Sequence, residues 1–182
     1  RSKLKQNNIV DQDEIKVTTL KNIQLTMAEK RQTENYAKGN WIVFNQNTKG
    51  TKAGTRLEIL GHEKGKILVR TAKGNEILLS TEKAASYHVY EARDIYIAKG
   101  DKIRITGNGK AIGGKHLFIG TVFKVTGFDK SGNIKLSNGS VIPKDYGYLG
   151  MGYVLTSHAS QGKTVDKVII SQSSMSFRAS SK

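Results

Sequence analysis

Along most of the chain, apolar residues come in short alternating runs, and the polar residues between them are those of tight turns. Ile15-Lys16-Val17-Thr18-Thr19-Leu20 is the first such run and predicts a strand. Up to Tyr148, only one stretch carries a helix signature. In Leu25-Thr26-Met27-Ala28-Glu29-Lys30-Arg31-Gln32, Thr26 is placed as an N-cap and Glu29, three residues on, as its capping-box partner. The spacing predicts a helix running to Tyr36 or Ala37 and stopping at Gly39. From there to Tyr148 no helical period is present, and turns such as Lys64-Gly65, Lys73-Gly74-Asn75, Ser131-Gly132-Asn133 and Asn138-Gly139 separate short strands. Asn138-Gly139 suits a type I′ turn, where both central residues need positive φ. The first dozen residues are polar and are expected to fray.

Within the β region the pattern occurs twice. Lys38-Gly39-Asn40-Trp41-Ile42-Val43-Phe44 matches Lys99-Gly100-Asp101-Lys102-Ile103-Arg104-Ile105, Leu57-Glu58-Ile59-Leu60-Gly61 matches Phe123-Lys124-Val125-Thr126-Gly127, and Gly74-Asn75-Glu76-Ile77 matches Gly139-Ser140-Val141-Ile142. The offset, about sixty to sixty-six residues, is too long for a solenoid unit and suits two copies of a small β domain. The chain is therefore expected to be mainly β, with five short strands per copy closing into two tandem SH3-like barrels over 38–97 and 98–150; an OB fold is the alternative.

Charge narrows the partner. Thirty Lys and Arg stand against fifteen Asp and Glu, a net +15, which points to a polyanion, and nucleic acid fits best; a generally lysine-rich composition is the plain alternative. No apolar run is long enough for a membrane segment and the start is not signal-like. The absence of cysteine excludes disulfides and thiolate metal sites and agrees with a cytoplasmic setting. The four histidines are widely spaced, so no metal site is indicated.

Two readings compete near the C-terminal end. Ser157-x-x-x-x-Gly162-Lys163-Thr164 approaches the phosphate-cradling G-x-x-x-x-G-K-[ST] loop but lacks its first glycine, and the residues that follow are too few for a Mg²⁺-holding layer; this is the reading of a small P-loop NTP hydrolase. The other is a strand ending in Thr156-Ser157-His158, then Ala159-Ser160-Gln161-Gly162, which is similar to motif V of superfamily 1 DNA helicases. Hydroxyls and an imidazole at a strand's carboxyl edge can reach a phosphate, and a helix opening after Gln161-Gly162 favours anions. The plain alternative is that Thr156, Ser157 and Ser160 only cap a helix.

Taken in order, Leu25-Thr26-x-Ala28-Glu29-x-Arg31, Gly39 with Trp41-Ile42-Val43-Phe44, Gly100-Asp101-Lys102-Ile103-Arg104 with Asn108, Gly120-Thr121-Val122-Phe123-x-Val125, and Tyr148 ahead of Tyr153-x-x-Thr156-Ser157-His158-x-x-Gln161-Gly162 resemble the C-terminal helicase region of the conjugative relaxase-helicases, F-plasmid-type nickase-helicases with a RecD-like motor. The resemblance implies two barrels inserted in an incomplete RecA-like α/β lobe, with 1–37 and 151–182 as pieces of that lobe. It implies a DNA-binding accessory part of an ATP-dependent helicase acting in plasmid transfer. Its partners would be single-stranded DNA and the rest of the helicase polypeptide. ATP and Mg²⁺ would belong to the parent protein, with no cofactor and no catalytic residue in this chain. Thr156 and His158 would contact DNA phosphates, while Gln161 and Gly162 would lie on the nucleotide side.

The residues themselves add a second group of candidates. Lys99, Lys102, Arg104, Lys110 and Lys115 crowd one region, where Asn108 and Gly109, Gly113 and Gly114 allow close backbone approach. Phe118, Tyr146 and Tyr148 are candidate stacking platforms for bases, whereas Trp41, Phe44, Phe123 and Tyr153 fall on alternating strand positions and read as core. The same aromatics could instead line a groove for a proline-rich peptide, making the chain a protein-interaction module.

Overall fold

The computed structural model describes residues 1–153, and among them all strand pairing is antiparallel. Strands β1 (Glu14–Asn22), β2 (Trp41–Phe44), β3 (Arg56–Glu63), β4 (Lys66–Arg70), β5 (Glu76–Leu79) and β6 (Tyr87–Ala98) form a six-stranded sheet in the order β1-β6-β2-β3-β4-β5. Next come β7 (Lys102–Ile105), β8 (Gly109–Lys110), β9 (His116–Leu117), β10 (Val122–Phe128), β11 (Ile134–Leu136), β12 (Val141–Ile142) and β13 (Leu149–Met151). These give a five-stranded sheet, β12-β11-β10-β7-β13, and a separate β8-β9 ribbon.

The internal repeat recurs in the backbone as the same set of hydrogen bonds. Gly39 N–H donates to Ile59 O and Ile59 N–H to Asn40 O, each at 2.8 Å; Gly100 N–H donates to Val125 O and Val125 N–H to Asp101 O at the same distance. Register slips between Ile59 and Gly61 and again between Val125 and Gly127, with φ of +154° and +155° at the two glycines. A side chain is strained at that φ, so each bulge requires its glycine.

The copies differ at two places. Between β2 and β3 the chain takes residues 45–55, whereas between β7 and β10 it takes 106–121, five residues more, and that longer loop contains β8 and β9. The other difference is hairpin length. In the first copy the arm from the Ile67–Leu79 pair to the Thr71–Asn75 turn bond has two more residues than the arm from Ile134–Ile142 to Leu136–Ser140.

Each copy has its own core, and one ribbon serves both. Ile42, Phe44, Ile59, Ile67 and Val69 gather around Tyr87 and Val89 from the start of β6. Ile103, Ile105, Val125, Ile134 and Leu149 gather around Ile97 from its end and Val17 of β1. β1 runs beside β6 from Glu14↔Ala98 to Asn22↔Tyr90. Across the seam, Arg56 donates to the carbonyls of Asp145 and Tyr146, both at 2.7 Å, and its guanidinium lies 5.1 Å over the Tyr148 ring. Tyr148 in turn makes edge contacts with Tyr90 and Tyr146, each at 5.8 Å between ring centroids.

Two expectations need correction. The capping box forms, Thr26 N–H donating to Glu29 Oε2 at 2.7 Å and Glu29 N–H to Thr26 Oγ1 at 3.3 Å, but the helix does not propagate. Glu29–Arg31 and Thr33–Asn35 are single 3₁₀ turns parted by extended Gln32 (φ −97°, ψ 117°). The reason is tertiary: Lys30 is buried with its ammonium on the Tyr87 and Ala84 carbonyls (2.6 and 3.3 Å), and the Tyr36 hydroxyl, in contact with that of Tyr87 (2.8 Å), lies 2.7 Å from Lys30 O. Docking these two side chains into the first core takes precedence over a weak local preference. Nor do the first residues fray. Ser2–Gln6 form a short helix, Val10 is buried, and the Arg1 guanidinium grips the Asp101 carboxylate through Nε (2.8 Å) and Nη2 (2.6 Å).

Replacing Gly61 or Gly127 by Ala is expected to lower stability by a similar amount, about 1–2 kcal/mol each, read by urea denaturation. Unequal costs, with one near zero, would show that the two bulges are not equivalent. Asp101 gives a pH dependence. Burial alone would raise its carboxyl, but Arg1, the Ala98 N–H (2.8 Å) and the Tyr153 hydroxyl (2.7 Å) outweigh it and hold the group below its ordinary 3.8. A folded value below the unfolded one means that the contribution is complete above about pH 4 and is lost as pH falls through the folded value. Asp101→Asn is therefore expected to lose stability at neutral pH and to show a shallower decline than the parent chain in thermal melts between about pH 4 and 2.

Candidate nucleic-acid interface

Strand β7 alternates: Ile103 and Ile105 turn into the core, leaving Lys102 exposed and Arg104 half-buried on the outer face. Antiparallel pairing sets Lys124 of β10 directly opposite Lys102, and Val122 opposite Arg104. Two lysines directly opposite each other repel, and the sheet tolerates this only while both stay solvated or share a counter-charge. No carboxylate among the described residues supplies one. Among the described residues every cation in an ion pair lies at or before Arg93. Residues 98–153 carry nine Lys and Arg and three Asp. Of the three, Asp101 is buried, and Asp129 closes its own turn by accepting from Ser131 N–H (2.8 Å), Asn133 N–H (2.9 Å) and Asn133 Nδ2 (2.8 Å). Arg104 Nε is buried without a hydrogen-bond partner among the described residues, a donor with unspent capacity.

β7 leads into the longer loop. Ala111 and Leu117 anchor its β8-β9 ribbon in the second core. Gly113 and Gly114, both at φ +87°, make the turn, with Gly114 N–H on Ala111 O (3.0 Å) and Ala111 N–H on Lys115 O (2.8 Å). Ile112 N–H reaches the edge strand, donating to Val141 O at 2.8 Å. Beyond β9 the pattern reverses, since Phe118 and Ile119 are 65% and 63% exposed. They are held in place all the same: Ile119 N–H donates to Asn108 Oδ1 at 2.8 Å, and the Phe118 ring stacks on His116 at 6.1 Å and 19°. A rigid aromatic face open to solvent, beside cations without partners, can take a nucleobase and the phosphates that flank it.

Of the residues expected to bind DNA, Lys102 and Arg104 share one strand face, while Lys110 and Lys115 sit exposed on the ribbon and its turn. Thr156, His158, Gln161 and Gly162 lie outside the described residues, as does the Gly162-Lys163-Thr164 stretch. Phe118 is available as a stacking platform and the tyrosines are not. Tyr146 is 7% exposed with its hydroxyl donating to Gly107 O at 2.8 Å, and Tyr148 is committed to Arg56, Tyr90 and Tyr146. Gly109 likewise makes room for the Tyr146 ring, 2.7 Å from where its Cβ would stand, and offers no open approach to a ligand. Three contributors escaped the sequence reading: Lys124, Ile119 and His116. Lys124 alternates with Phe123 and Val125, so its outward direction could have been read; its position opposite Lys102 needed the register.

Among the described residues no group of three or more His, Asp or Glu is placed to hold a metal ion, and no helix is long and apolar enough to cross a membrane. No protein-family model and no curated protein matches this chain.

Adjacent residues 117 and 118 separate frame from surface. Leu117→Ala is expected to cost about 2–5 kcal/mol, and Phe118→Ala less than about 0.5 kcal/mol, in chemical denaturation. A large loss at Phe118 would place its ring in the fold and remove it from the interface.

Proposed function

We propose that the chain binds single-stranded nucleic acid through the outer face of β7 and β10 and the adjoining loop, and performs no chemistry itself. One observation carries the reading: Lys102 and Arg104, on the strand that leads to the exposed Phe118–His116 stack, and Lys124 on the strand beside it form none of the ion pairs among the described residues. Phosphates would neutralise the cations and a base would cover the ring. A single strand suits such a platform better than a duplex, whose bases are already stacked.

The finer reading follows the resemblance. The two copies are SH3-like barrels inserted in a RecA-like lobe, and the chain is the DNA-binding accessory part of an ATP-dependent conjugative helicase and relaxase, steadying single-stranded DNA during unwinding and plasmid transfer. ATP and Mg²⁺ would be bound by the parent motor. The register of the repeat and the uncompensated charge of residues 98–153 support this reading. The competing reading, a groove for a proline-rich peptide, keeps only Phe118 of its aromatic candidates on the surface, since Tyr146 and Tyr148 are packed at the Arg56 seam.

Titration of a fluorescent oligothymidine at several salt concentrations tests it. About four phosphate contacts to a single strand give a log–log slope of about −3. Replacing Lys102, Arg104 and Lys110 together by Ala is expected to flatten that slope by about two units, and Phe118→Ala to weaken binding about tenfold with the slope unchanged. An unchanged slope in the triple variant, or displacement of the oligonucleotide by a proline-rich peptide, would overturn the assignment.

A further inference from the structure

The two copies differ in what happens at the outermost strand. In the second copy that strand is β12, and the chain covers it: Ile112 of the longer loop forms an antiparallel bridge with Val141, its N–H on Val141 O at 2.8 Å. The corresponding strand of the first copy is β5. Its register on β4 (Leu68↔Leu78) matches that of β12 on β11 (Lys135↔Val141), so Leu78 stands where Val141 stands. The first copy's loop, residues 45–55, is five residues shorter and closes on itself through Thr48 and Thr51. Among the described residues, β5 therefore ends the sheet with no neighbour on its far side. Ile77 and Leu78, which point to opposite faces of the sheet, are 44% and 41% exposed.

An edge strand with apolar side chains on both faces, and without proline, bulge or lysine within it, is a template for another strand. We propose that β5 is a docking edge for an extended peptide segment of a partner protein, which adds antiparallel as a seventh strand by main-chain hydrogen bonds. The segment has two consecutive apolar residues, one opposite Leu78 and the one before it on the other face, which Ile77 and Leu79 share, with acidic residues flanking them. The second copy is the template for the first feature, since the segment that covers β12 presents Ala111 and Ile112 in succession. Charge gives the second. Lys66 on the neighbouring strand, Lys73 in the hairpin tip and Lys83 beyond β5 are exposed and form none of the described ion pairs; of the nearby carboxylates, Glu76 is held by Arg70 at 3.1 Å and Glu63 by Lys64 at 3.3 Å, which leaves Glu82 against three lysines. Charge also disfavours a second copy of this chain, because two molecules of net +15 would meet lysine to lysine. The edge is separate from the Phe118 loop, and occupying it requires no nucleic acid.

An acetylated peptide with the sequence of residues 109–117, carrying glutamate in place of Lys110 and Lys115, is the probe, titrated onto the full chain with amide shifts recorded by NMR. Shifts centred on residues 76–79 are expected, with a dissociation constant on the order of 100 µM, a range suited to one short added strand. The lysine-bearing peptide is expected to bind several-fold more weakly. The glutamate peptide N-methylated at the residue corresponding to Ile112 should lose at least fivefold in affinity, a control that leaves the protein untouched. Shifts centred on β12 or on the Phe118 loop, no shift at 1 mM peptide, or equal binding by the N-methylated form would each overturn the proposal. Self-association that the peptide does not reverse, seen by sedimentation, would overturn it in favour of a second copy at this edge.

Discussion

Strand β6 belongs to two cores at once, and the rest of the molecule is arranged around that constraint. Tyr87 and Val89 at its start are buried in the first core, and Ile97 and Ala98 at its end are fully buried in and beside the second. A strand shared in this way fixes the twist and spacing of the two copies through covalent geometry, so little surface is needed between them. Elsewhere they are joined by Arg56, which holds two carbonyls and lies over the Tyr148 ring, by the edge contact of Tyr90 with Tyr148, and by Leu20 N–H on Gly147 O at 2.8 Å. Bidentate donation to carbonyls, stacked on an aromatic, is a geometry that lysine cannot reproduce. β1 completes the arrangement by pairing along nine residues of β6, with Val17 in the second core, and Ile23, the residue after the strand, packs against the first.

Around this frame the loops were free to diverge. The bulge glycines, the Gly39 and Gly100 turns and the core strands recur with the same hydrogen bonds, because altering any of them would disturb packing in its own sheet. The additional five residues in the second copy's first loop disturb none of this: they leave at Ile105 and return at Thr121, which is bonded to Ile105 just as Thr55 is bonded to Phe44 (2.9 and 3.0 Å). One insertion does two things, covering an edge strand and presenting an aromatic. The copy without it keeps a bare edge.

How much was legible in the sequence follows from the range of the interactions involved. Strand content, the turn glycines and the duplication were readable because alternation and turn chemistry act over a few residues. The capping box at Thr26 and Glu29 was also readable and also forms, yet the helix built on it was wrong. Its continuation depended on Lys30 and Tyr36 finding partners at Ala84 and Tyr87, more than fifty residues away. The site divides in the same way. Lys102, Lys110 and Phe118 could be picked out by type and spacing, whereas Tyr146 and Tyr148 have the composition of a stacking platform and the position of a seam. Nothing local in Tyr-Gly-Tyr announces an arginine arriving from Arg56.

The β1–β6 pairing also sets an order of events during synthesis. Glu14 emerges from the ribosome long before Ala98, its partner across the ladder, and at about 5–20 residues per second the first strand waits several seconds for its neighbour. Throughout that interval Val17 and Leu20 have nothing to pack against, while β2 to β5 can already form local hairpins. β1 is therefore the last strand of its sheet to be placed although it is the first to be made. A nascent chain of this design carries the apolar face of β1 unpaired until β6 has been made.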